Sequence, residues 1–180
     1  PMIVGMAISG RLAYMQKRLE EVIHLYQERA QSVLPYDLVY EKIATEDLVL
    51  QMKRVVDEIF MNEWIRLEGA GQKFAEDHVI RVRGVNEIDS APAGPTRTHL
   101  INMREEDPMF FTVLTDLRNS FAHHLPVAEA YNLIGVDHLT VNTLFVKNGD
   151  VNTVRLIEVW LEDLVRSFNR FMVRTFGAPV

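Results

Sequence analysis

The chain contains no cysteine. That excludes a disulfide framework, a thiolate metal site and a cysteine nucleophile, and it leaves the protein indifferent to the redox state of its compartment. No run of eighteen apolar residues occurs either, and the apolar opening at residues 1–8 is short and lacks a basic flank. Neither a membrane span nor a signal peptide is therefore expected, and a soluble, cytoplasmic protein is. No glycine-rich phosphate loop follows a strand pattern and no nucleophile elbow is present, which removes kinase-like, Rossmann and hydrolase readings. Basic charge is in deficit: 19 Lys and Arg against 25 Asp and Glu leave a net charge of −6. Broad electrostatic capture of nucleic acid rests on neutralising phosphates, so any such site has to be a local basic patch. His24, His78, His99 and His138 show no ligand spacing, and no metal or other cofactor is expected.

What remains is an ordinary globular composition, 48% apolar and 24% charged over 180 residues. It reads as one domain, residues 1–180, long enough to bury a core. Ser9 is placed to cap a first helix whose stripe is Leu12, Met15, Leu19, Val22, Tyr26 and Ala30, ending by Pro35. Thr45, followed by Glu46 and Asp47, reads as the N-cap of a second helix. Its stripe of Leu48, Met52, Val55 and Ile59 is widened by Val49, Val56, Phe60 and Trp64, and Gly69 and Gly71 end it.

Helical spacing is lost over about 72–107, where Ala91-Pro92-Ala93-Gly94-Pro95 is a loop signal and Val79, Ile80, Val82 and Val85 suggest a short strand. Arg81, Arg83, Arg97, His99 and Arg104 make this segment either a solvated excursion or a basic flap for a polyanion. Asp107-Pro108 opens a third helix. Residues 138–146 alternate loosely as one short strand, and Asn148-Gly149 signals a turn, but the helical spacing from Thr153 onward argues against a second strand. The last helix then carries Val154, Ile157, Leu161, Leu164, Phe168 and Phe171. On its polar side Glu162 and Arg166 are spaced for a salt bridge, and Arg166, Arg170 and Arg174 form either a solvated ladder or a local phosphate-binding stripe. The fold class expected is all-α: a four-to-five-helix up-down bundle with an irregular, strand-bearing insertion at about 72–107 and a short strand near 138–146.

One stretch exceeds what folding requires, Leu117-Arg118-Asn119-Ser120-Phe121-Ala122-His123-His124. At about 100° per residue, Phe110, Leu114, Leu117 and Phe121 share one side of the third helix, and Thr115, Arg118, Asn119, Ala122 and His123 share another. Pro126 stops the helix after the histidines, so its dipole favours their protonated forms. A permanent cation, an amide and a group titrating near neutrality thus lie within about one and a half turns.

The pattern Leu-Arg-Asn-x-x-Ala-His in the third helix of a helical domain resembles the HEPN superfamily, whose motif is an arginine, usually followed by a polar residue, and a histidine four to six residues later. Arg118, Asn119 and His123 match it, and His124 satisfies the looser spacing. The resemblance covers the ten-residue motif and the helix order. It implies a four- or five-helix bundle that pairs as a homodimer with two motifs facing each other, and a metal-independent endoribonuclease of defence or toxin–antitoxin systems, with a cognate antitoxin or regulatory protein as partner. Arg118, Asn119 and His123 are then the catalytic residues, with His124, Arg166, Arg170 and Arg174 binding substrate. Many HEPN-like domains are non-catalytic, so a dimeric interaction or regulatory module is the alternative.

Overall fold

A computed structural model of the chain describes residues 2–29, 35–69, 80–123, 128–131, 139–148 and 151–177. Five α-helices dominate: α1 (Met2–Arg29), α2 (Pro35–Glu68), α3 (Pro95–Glu105), α4 (Pro108–His123) and α5 (Leu161–Phe176). A short 3-10 turn, Val85–Ser90, precedes α3, and three strands, β1 (Ala128–Tyr131), β2 (Thr140–Asn148) and β3 (Val151–Trp160), separate α4 from α5. The protein is thus mostly helical with a small antiparallel sheet in the order β1-β2-β3.

Helices α1 and α2 run antiparallel, as their ion pairs show. Arg11 near the start of α1 reaches Glu58 late in α2 at 2.8 Å, whereas Arg18 reaches back to Asp47 at 3.0 Å. Both helices begin earlier than the sequence predicts. Ser9 lies inside α1, its hydroxyl bonded to the Gly5 carbonyl, and Thr45 lies inside α2, its hydroxyl bonded to the Glu41 carbonyl at 2.8 Å. A hydroxyl that reaches back one turn satisfies itself on the helix, so a capping type of residue is no proof of a cap. Gly69 does end α2, its N–H bonding the Ile65 carbonyl; Gly71 and Ala30 lie outside the described residues.

The predicted stripe of α2 is buried in full, Leu48, Val49, Met52, Val55, Val56, Ile59, Phe60 and Trp64 alike. Its width has a cause: α2 is packed by α1, α3, α4 and β1. Phe60 stacks parallel to Phe171 of α5 at 6.0 Å between centroids and meets Phe111 of α4 edge-on at 5.6 Å, so one aromatic cluster ties α2, α4 and α5 together. Edge-on and offset rings of this kind add about 0.5–1.5 kcal/mol per pair beyond their area.

The expected all-α bundle is corrected in three places. First, the 72–107 segment holds a helix, α3; Gly94-Pro95, read as loop, is the entry to that helix with Pro95 in its first turn, where a missing N–H costs nothing. Among its described residues there is no strand, and Val82 and Val85 are instead buried around the 3-10 turn. Second, β1 is an additional strand, paired with β2 from Ala128↔Thr143 to Tyr131↔Thr140. Third, Asn148-Gly149 does precede a second hairpin strand, because β3 pairs with β2 from Asn148↔Val151 to Thr140↔Trp160. Val151, Thr153, Val154, Ile157 and Val159 are β-branched, and this propensity overrides the coincidental helical spacing of Val154 and Ile157. The last helix accordingly starts at Leu161, with Leu161, Leu164, Phe168 and Phe171 buried as predicted. It closes on Gly177 at φ 74°, a left-handed cap that glycine adopts without strain. No helix among the described residues is long and apolar enough to cross a membrane.

Candidate functional site

Helix α4 presents Arg118 and Asn119 on the face that its sequence implies. Asp107 accepts the Phe110 N–H at 3.3 Å, Pro108 occupies the first turn, and Phe110, Phe111, Leu114, Leu117 and Phe121 are buried. With that face fixed in the core, Arg118 and Ala122 are exposed and Asn119 is half-buried. The Arg118 guanidinium donates from Nη1 to Asn119 Oδ1 at 3.0 Å, so the two motif residues are joined directly. Between them and the core, Ser120 is fully buried with its hydroxyl unpartnered among the described residues. His123 is the last residue of α4; its side chain, and the whole of His124 and Pro126, lie outside the described residues.

Arg118 lines a cleft of about 260 Å³ between α4 and α2, together with Ala122, Lys53, Arg54 and Asp57. Lys53 is the unexpected member, only 4% exposed. Its ammonium sits 2.6 Å from both carboxylate oxygens of Asp57, and Asp57 Oδ1 also accepts the Val85 N–H at 3.0 Å. Gly84 makes this possible, since a Cβ there would lie 2.4 Å from Asp57 Oδ1. Burial pushes the Lys53 ammonium below its usual range; Asp57 opposes this, and the neighbouring Arg118 charge adds to it.

Lys53, Arg54 and Asp57 were missed from the sequence, although a signal existed. Lys53 falls on the stripe of Val49, Val56 and Phe60, four residues before Asp57, and a lysine within an apolar stripe needs a partner. Its proximity to Arg118, 65 positions away, has no local sequence signature.

Most of the other predicted basic residues are engaged elsewhere, although Arg81 and Arg97 have no carboxylate at ion-pair distance among the described residues. Arg166 pairs with Glu162 as expected and also with Asp163, Arg170 lies 3.4 Å from Asp107, and Arg174 lies 3.2 Å from Glu106. In the 80–107 region Arg83 pairs with Glu87, Arg104 with Asp89, and His99 approaches Glu63 at 3.7 Å. None of these residues lines the Arg118 cleft. Among the described residues no three His, Asp or Glu side chains converge in a way that would hold a metal ion. No protein-family model, curated protein or solved structure matches the chain. Any role for the site therefore follows from its own chemistry.

Proposed function

We propose that the chain is a HEPN-type helical domain, in which α1, α2, α4 and α5 are the bundle helices and the sheet is an insertion. Its activity, in this reading, is that of a metal-independent endoribonuclease working as a homodimer in a defence or toxin–antitoxin setting, with a cognate antitoxin or regulatory protein as partner. The observation that carries it is the Arg118–Asn119 pair: an exposed guanidinium, held by its neighbouring amide and with no carboxylate at ion-pair distance among the described residues. Such a cation is available to a phosphate.

The chemistry follows from the residues. The RNA 2′-oxygen attacks the adjacent phosphorus as its proton passes to a base, the bond from phosphorus to the 5′-oxygen breaks, and that oxygen receives a proton from an acid. Arg118 stabilises the charge gathering on the phosphorane, Asn119 holds Arg118, and His123 transfers one proton. A second His123 across a two-fold axis supplies the other, which makes the dimer the active species. The products are a 2′,3′-cyclic phosphate and a 5′-hydroxyl. Purified protein should cut labelled single-stranded RNA in EDTA, and Arg118→Ala and His123→Ala should each reduce the rate at least about 100-fold, the scale of one acid–base group. Wild-type protein that cuts nothing, or variants that cut equally well, would end this reading.

The alternative, a dimeric interaction module, is favoured by β3. This edge strand exposes Val154 at 74% and Leu156 at 60%, the kind of apolar edge that pairs with another chain. On that reading His123→Ala changes oligomeric state or melting temperature and there is no cleavage to lose.

A further inference from the structure

We propose that the cleft between α2 and α4 is a phosphoryl-binding site in which Arg54 and Arg118 hold the anion above Lys53. This deepens the nuclease reading by adding α2 to the site, but it concerns binding and stands or falls separately from cleavage.

Three observations carry it. The lining holds three cations, Lys53, Arg54 and Arg118, against the single carboxylate of Asp57, in a chain whose net charge is −6. That carboxylate is already consumed: both oxygens lie 2.6 Å from the Lys53 ammonium, and one also takes the Val85 N–H. It has little left to neutralise either arginine. Finally, most arginines whose side chains are described sit at ion-pair distance from a carboxylate. Arg54, Arg81, Arg97 and Arg118 have none among the described residues, and of these Arg54 and Arg118 line one cleft together.

Like charges so placed repel unless an anion comes between them. Lys53 is not free to move away, because it is buried and its ammonium is held by both oxygens of Asp57. A phosphoryl group entering the cleft would offer the planar arginine forks the oxygens they match and relieve the Arg118–Lys53 repulsion. Ala122, exposed on the turn after Arg118, keeps the approach open. Carboxylates would satisfy the charge too, but a phosphoryl group has oxygens enough to engage both arginines at once.

The shared chemistry belongs both to a nucleic-acid backbone and to a terminal or inorganic phosphate. The test therefore uses two probes, a DNA oligonucleotide without terminal phosphates and inorganic pyrophosphate. DNA lacks the 2′-hydroxyl and survives whatever the nuclease does. Fluorescence anisotropy and calorimetry on the full chain should show at least one probe binding, with about 10-fold weaker affinity in both Arg54→Gln and Arg118→Gln. Arg66→Gln, on α2 but paired with Glu63 at 2.7 Å and outside the cleft, should bind as wild type. If the oligonucleotide is the ligand, removing Arg54 should also lower the slope of log affinity against log salt by about 0.7, one phosphate contact on a single strand. Binding of the oligonucleotide alone assigns a backbone phosphodiester, and binding of pyrophosphate alone assigns a terminal or inorganic phosphate. No binding of either probe, or binding unchanged in Arg54→Gln, overturns the site. RNA cleavage that persists at full rate in Arg54→Gln would then leave the nuclease reading intact.

Discussion

Two groups of arginines divide this molecule. On α5, Arg166, Arg170 and Arg174 form the longest basic ladder in the chain, yet each is matched to a carboxylate of α5 itself or of the turn before α4. In the α2–α4 cleft, Arg54 and Arg118 are fewer and far apart in sequence, and the nearby carboxylate of Asp57 is committed to Lys53. Counting cations would choose the ladder. Asking where charge left over after internal pairing is gathered in one place chooses the cleft, since Arg54 and Arg118 share its lining, and unneutralised charge is what attracts a ligand in a protein that is acidic overall.

The same contrast governs stability. Asp57→Ala leaves the Lys53 ammonium buried without its partner, so denaturant unfolding should show a loss of about 3–5 kcal/mol. The Lys53 side chain is only 5% exposed, which is why little solvent is there to compensate. A cost no larger than that of a surface pair would break the distinction between cleft and ladder.

A smaller effect, of opposite sign, is expected at Glu46. It is 8% exposed, its Oε1 has no hydrogen-bond partner among the described residues, and Lys42 stands 3.9 Å away. Burial raises its carboxyl above the ordinary 4.5, with Lys42 opposing. The folded protein then holds this proton to higher pH than the unfolded chain, so the penalty grows as pH rises from 4.5 through the folded value and is absent below 4.5. Glu46→Gln should therefore stabilise the protein at pH 7 by about 1 kcal/mol, the scale of one uncompensated buried polar atom. Thermal melts across pH should show that gain disappearing under acid conditions; a gain that persists there would mean packing rather than charge is responsible.

The least effect is expected on α5. Glu162 and Arg166 are 62% and 61% exposed, so Glu162→Gln should change the unfolding free energy by no more than about 0.5 kcal/mol. It also uncovers part of the Arg166 charge. If that change added pyrophosphate or oligonucleotide binding that persists when Arg54→Gln is present as well, the ladder would be a masked anion site and the contrast would sharpen into a switch.

Much of the helical architecture was legible because it is written in short-range periodicity. The core faces of α2 and α4, the Asp107-Pro108 entry, the Gly69 stop and the Glu162–Arg166 pair all depend on residues one to four positions apart. Where reading failed, two local signals competed. Thr45 and Ser9 are good caps and also tolerable interior residues; Val154 and Ile157 fit a helical step and are also β-branched. For Ser9 and Thr45 the hydroxyl turned back onto its own helix, to the Gly5 and Glu41 carbonyls; for β3 the cross-strand ladder to β2 decided, which a single strand cannot reveal.

By itself the sequence determined that α4 turns Phe110, Leu114, Leu117 and Phe121 inward and so leaves Arg118 and Asn119 on another face, since a 3.6-residue period fixes faces before any packing occurs. Only the tertiary structure decided what stands opposite them. Packing α2 against α4 brought Lys53, Arg54 and Asp57 to Arg118, and antiparallel pairing and turn contacts chose which carboxylates were spent on which cations. Coulombic neutralisation acts through space rather than along the chain, so the sequence names the charges while the fold determines which of them remain uncompensated.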